Sequence, residues 1–154
     1  MNDSAPGDQA ITATSAMMDI VKNVPWSKEL GFEMTRVEKG HAWGRQPYLD
    51  HLVGDPTTGI IHGGVITTML DTISGMACAS ALSEVRMIAT LDLRLDYMRP
   101  ATPKRDIIGE AECFHITKSI AFIRAWAYHD SRDKTIAIAQ SAFALTSLKR
   151  GAPA

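Results

Sequence analysis

One histidine, two glycines and one aspartate are the residues of this chain whose types and spacing point to chemistry. His62-Gly63-Gly64 ends a turn-rich segment, and the apolar run that follows carries Asp71 as its single charged residue. Adjacent glycines let a backbone turn sharply and approach a ligand closely. If they open a helix, its first N–H groups have no partner within that helix. Such an end attracts negative charge, including the charge that develops on a carbonyl oxygen under attack. An ionised aspartate in a buried helix is costly unless something pairs with it or water reaches it. Asp71 therefore reads either as a helix-surface residue at a rim or as a working carboxylate in a pocket. His62 reads either as a residue bonded to a neighbouring loop or as a group that faces substrate.

The elements that must position these residues follow from the apolar pattern. Val65, Ile66, Met69, Leu70, Ile73, Met76, Ala77, Cys78, Ala81 and Leu82 cover more than one face, which marks a buried helix. Its roughly 20 residues span about 30 Å. Thr67, Thr68, Asp71 and Ser74 are its polar breaks. Upstream, residues 10–24 have helical spacing and stop before Pro25, with Trp26 and Leu30 packing where that helix joins the body. Residues 32–46 read as two strands around a turn at Glu38-Lys39-Gly40-His41, and residues 47–59 as irregular and dense in turn formers.

Downstream, residues 90–98 alternate, with Leu91, Leu93, Leu95 and Tyr97 on one face and Asp92, Arg94 and Asp96 on the other. Residues 107–116, 119–128 and 135–148 read as three more strands, with a hairpin turn over 129–134. Short connections make the sheet antiparallel. The class is α+β, with a sheet curled round one helix.

Composition narrows the function. At 154 residues, the chain suits one domain with a full core. A net charge of -1 at pH 7 gives no global pull toward nucleic acid or an anionic membrane. Cys78 and Cys113 fit neither a disulfide framework nor a metal spacing and read as small core residues. Residues 1–9 are polar, expected to be loosely packed, and lack an apolar signal core. No run reaches the length of a membrane span, so cytoplasmic residence is the expectation. No compact Ser-His-Asp grouping and no zinc-spaced His/Cys cluster occurs, so no metal or cofactor is implied.

His62-Gly63-Gly64, six further residues and then Asp71 resemble the hotdog-fold thioesterases of the phenylacetate-degradation type. The similarity continues through Leu93-Arg94-Leu95-Asp96-Tyr97-Met98-Arg99-Pro100-Ala101 and covers about residues 30 to 148. The resemblance implies a hotdog fold: a long helix wrapped by a curved antiparallel sheet. It makes residues 25–150 one hotdog domain, preceded over 1–24 by a tail and short helix. It implies homodimers, often paired into homotetramers, that hydrolyse acyl-CoA thioesters between protomers. Asp71 then matches the catalytic carboxylate, acting as general base on water or as nucleophile. Gly63 matches the glycine whose N–H holds the thioester oxygen, and His62 the histidine beside it that orients substrate.

Thr90 stands where relatives carry a Ser or Thr near the attacking water, although by alternation it shares a face with Asp92 and Arg94. Gly64, Thr68, Met69 and Thr72, on adjoining turns of the helix, are candidate substrate contacts, and Met69, Met76 and Met87 are candidates to line an acyl pocket. Relatives often carry an Asn about six residues before the His. Here Asp55 stands seven before it, in Gly54-Asp55-Pro56. Asp55 either takes that place, where a second carboxylate nearby would push one pKa upward, or caps a turn.

Spacing adds a constraint. Gly63 and Asp71 are eight residues apart, roughly 12 Å along a helix. One helix does not bring both to a single carbonyl, so the site takes Gly63 from one protomer and Asp71 from another. Arg99, Lys104, Arg105, Lys118, Lys149 and Arg150 form the pool of cations for the CoA phosphates. The competing readings are an acyl-CoA binding or sensing protein of the same fold and, further off, a hotdog dehydratase or hydratase, whose loop motif is missing.

Overall fold

The computed structural model describes residues 18–146. The expected loose start of the chain, Lys149 and Arg150 lie outside the described residues. In chain order the elements are helix α1, described over 18–23; α2 (Pro25–Leu30); β1 (Glu33–Glu38); β2 (His41–Gln46); β3 (Val53–Asp55); β4 (Ile60–Ile61); α3 (Gly63–Ala81); β5 (Met87–Tyr97); β6 (Ile107–Ile116); β7 (Ile120–Tyr128); and β8 (Ala137–Thr146). Six strands form one antiparallel sheet in the order β1-β2-β6-β7-β8-β5, and β3 pairs with β4 separately. The sheet packs along α3, which is the hotdog arrangement.

The sheet comes close to α3 because its helix-facing residues are small. Ala42, Ala111, Ala125, Ala127, Ala137 and Ala139 are buried, and a Cβ on Gly109 would meet Ile73 Cδ1 at 2.8 Å. Into that floor α3 sets Met69, Leu70 and Ile73, all fully buried. Each contributes about 1.5–3 kcal/mol through removal of apolar surface from water.

Four expectations need correction. Pro25 does not merely end a helix: it opens α2 at a first-turn position that needs no N–H, and Gly31 closes α2 in the left-handed region at φ 64°. Leu30 is buried as expected, but Trp26 is 59% exposed. The segment read as wholly irregular holds β3 and a turn of 3-10 helix over Asp50–Leu52.

The fourth correction bears on the site. Thr90 pairs with Phe143 and Asp92 with Ala142, so Leu91 is an extra residue, a β-bulge in β5. The alternation therefore changes parity there. Leu93 and Leu95 pack on the core, but Leu91 is 58% exposed, and Thr90 turns toward α3 instead of sharing a face with Asp92 and Arg94. Among the described residues β5 pairs only with β8, and its other edge is open.

Candidate functional site

His62 caps α3. Its backbone is extended, at φ -60° and ψ 133°, and its Nδ1 accepts from the Gly64 N–H at 3.0 Å. A neutral ring that accepts at Nδ1 carries its proton on Nε2. The His62 backbone N–H donates to the Leu52 carbonyl at 2.9 Å, and the Val65 N–H donates to the His62 carbonyl at 3.0 Å. That leaves the Gly63 N–H without a hydrogen-bond partner among the described residues, at the positive end of a 19-residue helix. The absence of side chains at this corner is enforced by contact. A Cβ on Gly64 would lie 2.9 Å from His62 Nδ1, one on Gly54 2.8 Å from His62 Cα, and one on Gly63 3.1 Å from the Tyr97 hydroxyl.

Asp71 is half-buried two turns along α3. Its Oδ1 accepts from the Thr90 hydroxyl at 2.9 Å, and Oδ2 has no partner among the described residues. One oxygen is thus anchored while the other stays free to take a proton. The Leu91 bulge makes this contact possible.

The remaining candidates divide. Thr68 and Thr72 donate their hydroxyl protons to the carbonyls of Gly64 and Thr68, at 2.9 and 2.8 Å, which leaves lone pairs and methyl groups for a ligand. Gly64 is exposed beside His62. Met69 is 1% exposed and packs over Gly109. It lies on the sheet side of α3, in the core, rather than on the surface expected to meet substrate. Met76 is buried and Met87 is exposed on β5.

Asp55 ends β3 and leads into the turn before β4. Its Oδ1 accepts from the Thr57 N–H and hydroxyl at 2.9 and 2.7 Å, and its Oδ2 from the Thr58 hydroxyl at 2.9 Å. These donors, the Thr57 hydroxyl foremost, hold its carboxyl below the ordinary carboxylate range. That is the turn-capping arrangement, and the shift runs opposite to that of two crowded carboxylates.

Tyr97 belongs to the stretch that carries the resemblance, but the sequence assigns it no role. Its hydroxyl donates to the Gly63 carbonyl at 2.7 Å and lies 3.0 Å from Thr67 Oγ1. Its place on the Leu93–Leu95 face was the available signal. Among the cations, Lys104 pairs with Asp50 and Arg105 with Asp130, whereas Arg99 and Lys118 have no side-chain partner among the described residues. A cleft of about 200 Å³ opens at the far end of α3, between Leu82, Arg86 and Lys118, and none of the candidate catalytic residues lines it.

A family model described as the thioesterase superfamily matches residues 58–136, a span that holds His62, Gly63, Asp71 and Thr90. The chain belongs to that superfamily. The medium/long-chain acyl-CoA thioesterase YigI of Escherichia coli K12 is similar, with 32% identity over 129 residues, 73% of this chain and 75% of that one. Its counterpart from Salmonella typhimurium is 32% identical over 114 residues, 64% of this chain and 70% of that one. A Pseudomonas aeruginosa crystal structure matches at TM-score 0.76 and 34% identity, covering 85% of this chain and 97% of that one. The PaaI protein of the E. coli phenylacetic acid degradation operon matches at TM-score 0.77 over 90% of this chain and 95% of its own. At 16% identity, that last likeness shows the thioesterase fold alone.

Proposed function

We propose that this protein hydrolyses acyl-CoA thioesters to a free acid and CoA, with Asp71 as general base or nucleophile and the Gly63 N–H as oxyanion donor. The observation that carries the reading is the Asp71–Thr90 pair, with one carboxylate oxygen tied at 2.9 Å and the other free. In the general-base form, Asp71 takes a proton from water as the water oxygen bonds to the thioester carbon. The carbonyl oxygen gains negative charge and accepts from the Gly63 N–H. The C–S bond then breaks, and the CoA thiolate leaves and takes up the proton. The names of the YigI relatives support acyl-CoA as the substrate class.

Asp71 and Gly63 of one chain are too far apart to share a carbonyl, so the reading includes a second copy. The open edge of β5 supports it: 11 residues long, with Met87, Leu91 and Tyr97 each at least half exposed. Such an edge is a template for another strand. On β5, Thr90 marks Asp71 and Tyr97 marks Gly63. With Leu91 taken up by the bulge, Arg94 lies midway between them. Two β5 strands paired antiparallel about an axis at Arg94 would set Thr90 opposite the partner's Tyr97, and so Asp71 near the partner's Gly63. Leu93 would face the partner's Leu95, core side to core side.

The test is steady-state hydrolysis of aryl and aliphatic CoA thioesters by wild type, Asp71→Ala and Asp71→Asn. Turnover that falls about a hundredfold or more in both variants, with fold and dimer intact, is the expected result. Binding without turnover on any thioester would overturn it in favour of an acyl-CoA binding protein, a reading that the unmatched Asn position favours.

A further inference from the structure

Tyr97 lies in the stretch that carries the family resemblance, but the proposed chemistry gives it no role. Its hydroxyl donates to the Gly63 carbonyl at 2.7 Å, while Thr67 Oγ1 lies 3.0 Å from that hydroxyl and 3.2 Å from the same carbonyl. The Gly63 carbonyl and the Gly64 N–H belong to one peptide unit. On its other side that N–H donates to His62 Nδ1 at 3.0 Å. A donor at the carbonyl draws electron density toward oxygen and makes the N–H of the same peptide a better donor. Two hydrogen bonds therefore run in series through one rigid plane, from Tyr97 on the edge strand to the imidazole of His62.

We propose that Tyr97 is a positioning residue for the reaction: its hydroxyl holds the Gly63–Gly64 peptide, and through it the Nε2–H tautomer of His62 and the aim of the Gly63 N–H. The closeness is to backbone, since a Cβ on Gly63 would lie 3.1 Å from the Tyr97 oxygen. The hydroxyl is thus seated on the glycine corner, and the ring of a phenylalanine would reach it without bonding. The Gly63 N–H lies in the preceding peptide, joined to that plane at the Gly63 Cα, so fixing the plane steadies the donor, and a misaimed oxyanion donor forfeits stabilisation that exists only in the transition state. Tyr97 touches neither water nor thioester in this role. The kinetic part of the inference rests on the proposed hydrolysis; the ring-tautomer part does not.

The experiment is Tyr97→Phe with two readouts. Nitrogen-15 NMR of the histidine side chains is expected to give His62 as a single Nε2–H tautomer in wild type and as a mixture in the variant. With the best thioester, kcat is expected to fall about tenfold while KM stays within about twofold. A His62 tautomer unchanged in Tyr97→Phe overturns the proposal, whatever the rate. So does a kcat equal to wild type, or a loss carried wholly by KM or by a lowered thermal midpoint. If Tyr97→Phe does not fold, Thr67→Val takes the same two readouts, because it removes the hydroxyl that orients Tyr97 and leaves β5 intact. If wild type hydrolyses no thioester, the tautomer measurement decides alone, and that failure falls on the proposed function instead.

Discussion

The Thr90 hydroxyl donates to Asp71 Oδ1 at 2.9 Å, joining the edge strand of the sheet to the middle of the long helix. The bond orients the carboxylate so that its second oxygen is the one available to a reactant. Asp71 is half-buried, and an unanchored carboxylate there would rotate among several positions. Removing the hydroxyl while keeping the shape, as in Thr90→Val, is expected to lower kcat about ten- to a hundredfold. Thr90→Ser, which keeps the donor, is expected to stay within a few-fold of wild type. Steady-state kinetics on the pair checks this, and equal rates in Thr90→Val and wild type would remove Thr90 from the mechanism.

Gly64→Ala separates stability from activity. Alanine in place of glycine favours a helix by up to about 1 kcal/mol. Its Cβ would lie 2.9 Å from His62 Nδ1 and push the ring off the Gly64 N–H, and loss of such a cap costs about 0.5–2 kcal/mol. The two effects offset, so the thermal midpoint is expected to move by only a few degrees. The rate is expected to fall about tenfold or more because the imidazole has been displaced. A Gly64→Ala protein with wild-type kcat would mean that the position of His62 is immaterial.

The sequence alone carried the long helix, its start at His62, the four long strands after it and the antiparallel order, because each rests on periodicity or on glycine and proline chemistry acting locally. It did not carry the bulge at Leu91. Leu91, Leu93, Leu95 and Tyr97 alternate without a break, and an inserted residue is visible only in the pairing with β8. For that reason Thr90 read as a residue of the outer face. Met69 was misjudged for a related reason. A helix apolar nearly all round does not declare which side meets the sheet, and Gly109 decided that from far along the chain. Tyr97 stands in the matched stretch, but its role is not legible there because its partner is a backbone carbonyl, which leaves no mark in a pattern of side chains.

Acid stability has a local source in Asp106. Its carboxylate accepts from the Tyr48 N–H at 2.9 Å and from Arg45 at 2.7 Å, and those donors, the Tyr48 N–H foremost, hold its pKa below the ordinary carboxylate range. The folded protein therefore keeps this group ionised at a pH where the unfolded chain protonates it. Its stabilising contribution is complete above the ordinary carboxylate pKa and is lost as pH falls through the lowered folded value. Asp106→Asn is expected to be less stable than wild type at neutral pH, with the difference shrinking in that acid window. Denaturant midpoints from pH 7 down to about pH 3 check the sign. A difference that grows on acidification would contradict it.

The register of β5 is open to chemical test. An antiparallel pair centred on Arg94 holds the two copies of that residue directly opposite, with Cα atoms about 4.5–5.5 Å apart. That separation is within the span a disulfide accepts, about 4.4–6.8 Å. Arg94→Cys is therefore expected to give a covalent dimer on mild oxidation, seen on a non-reducing gel. Asp92 would face the partner's Asp96, so the two copies of residue 92 would lie four positions apart along the strand, about 13 Å at 3.3 Å per residue. Asp92→Cys alone and Asp96→Cys alone are expected to stay monomeric on the gel, while a mixture of the two cross-links. Wild type supplies the background from Cys78 and Cys113, which are buried and half-buried. Efficient cross-linking of Asp92→Cys by itself would move the axis toward that residue. Thr90 and the partner's Tyr97 would then no longer be opposed, and the route from Asp71 to the partner's Gly63 would be lost. Leu91→Arg, which puts a charge on the exposed apolar edge, is expected to weaken the dimer and take turnover with it, since neither copy alone brings both groups to one carbonyl.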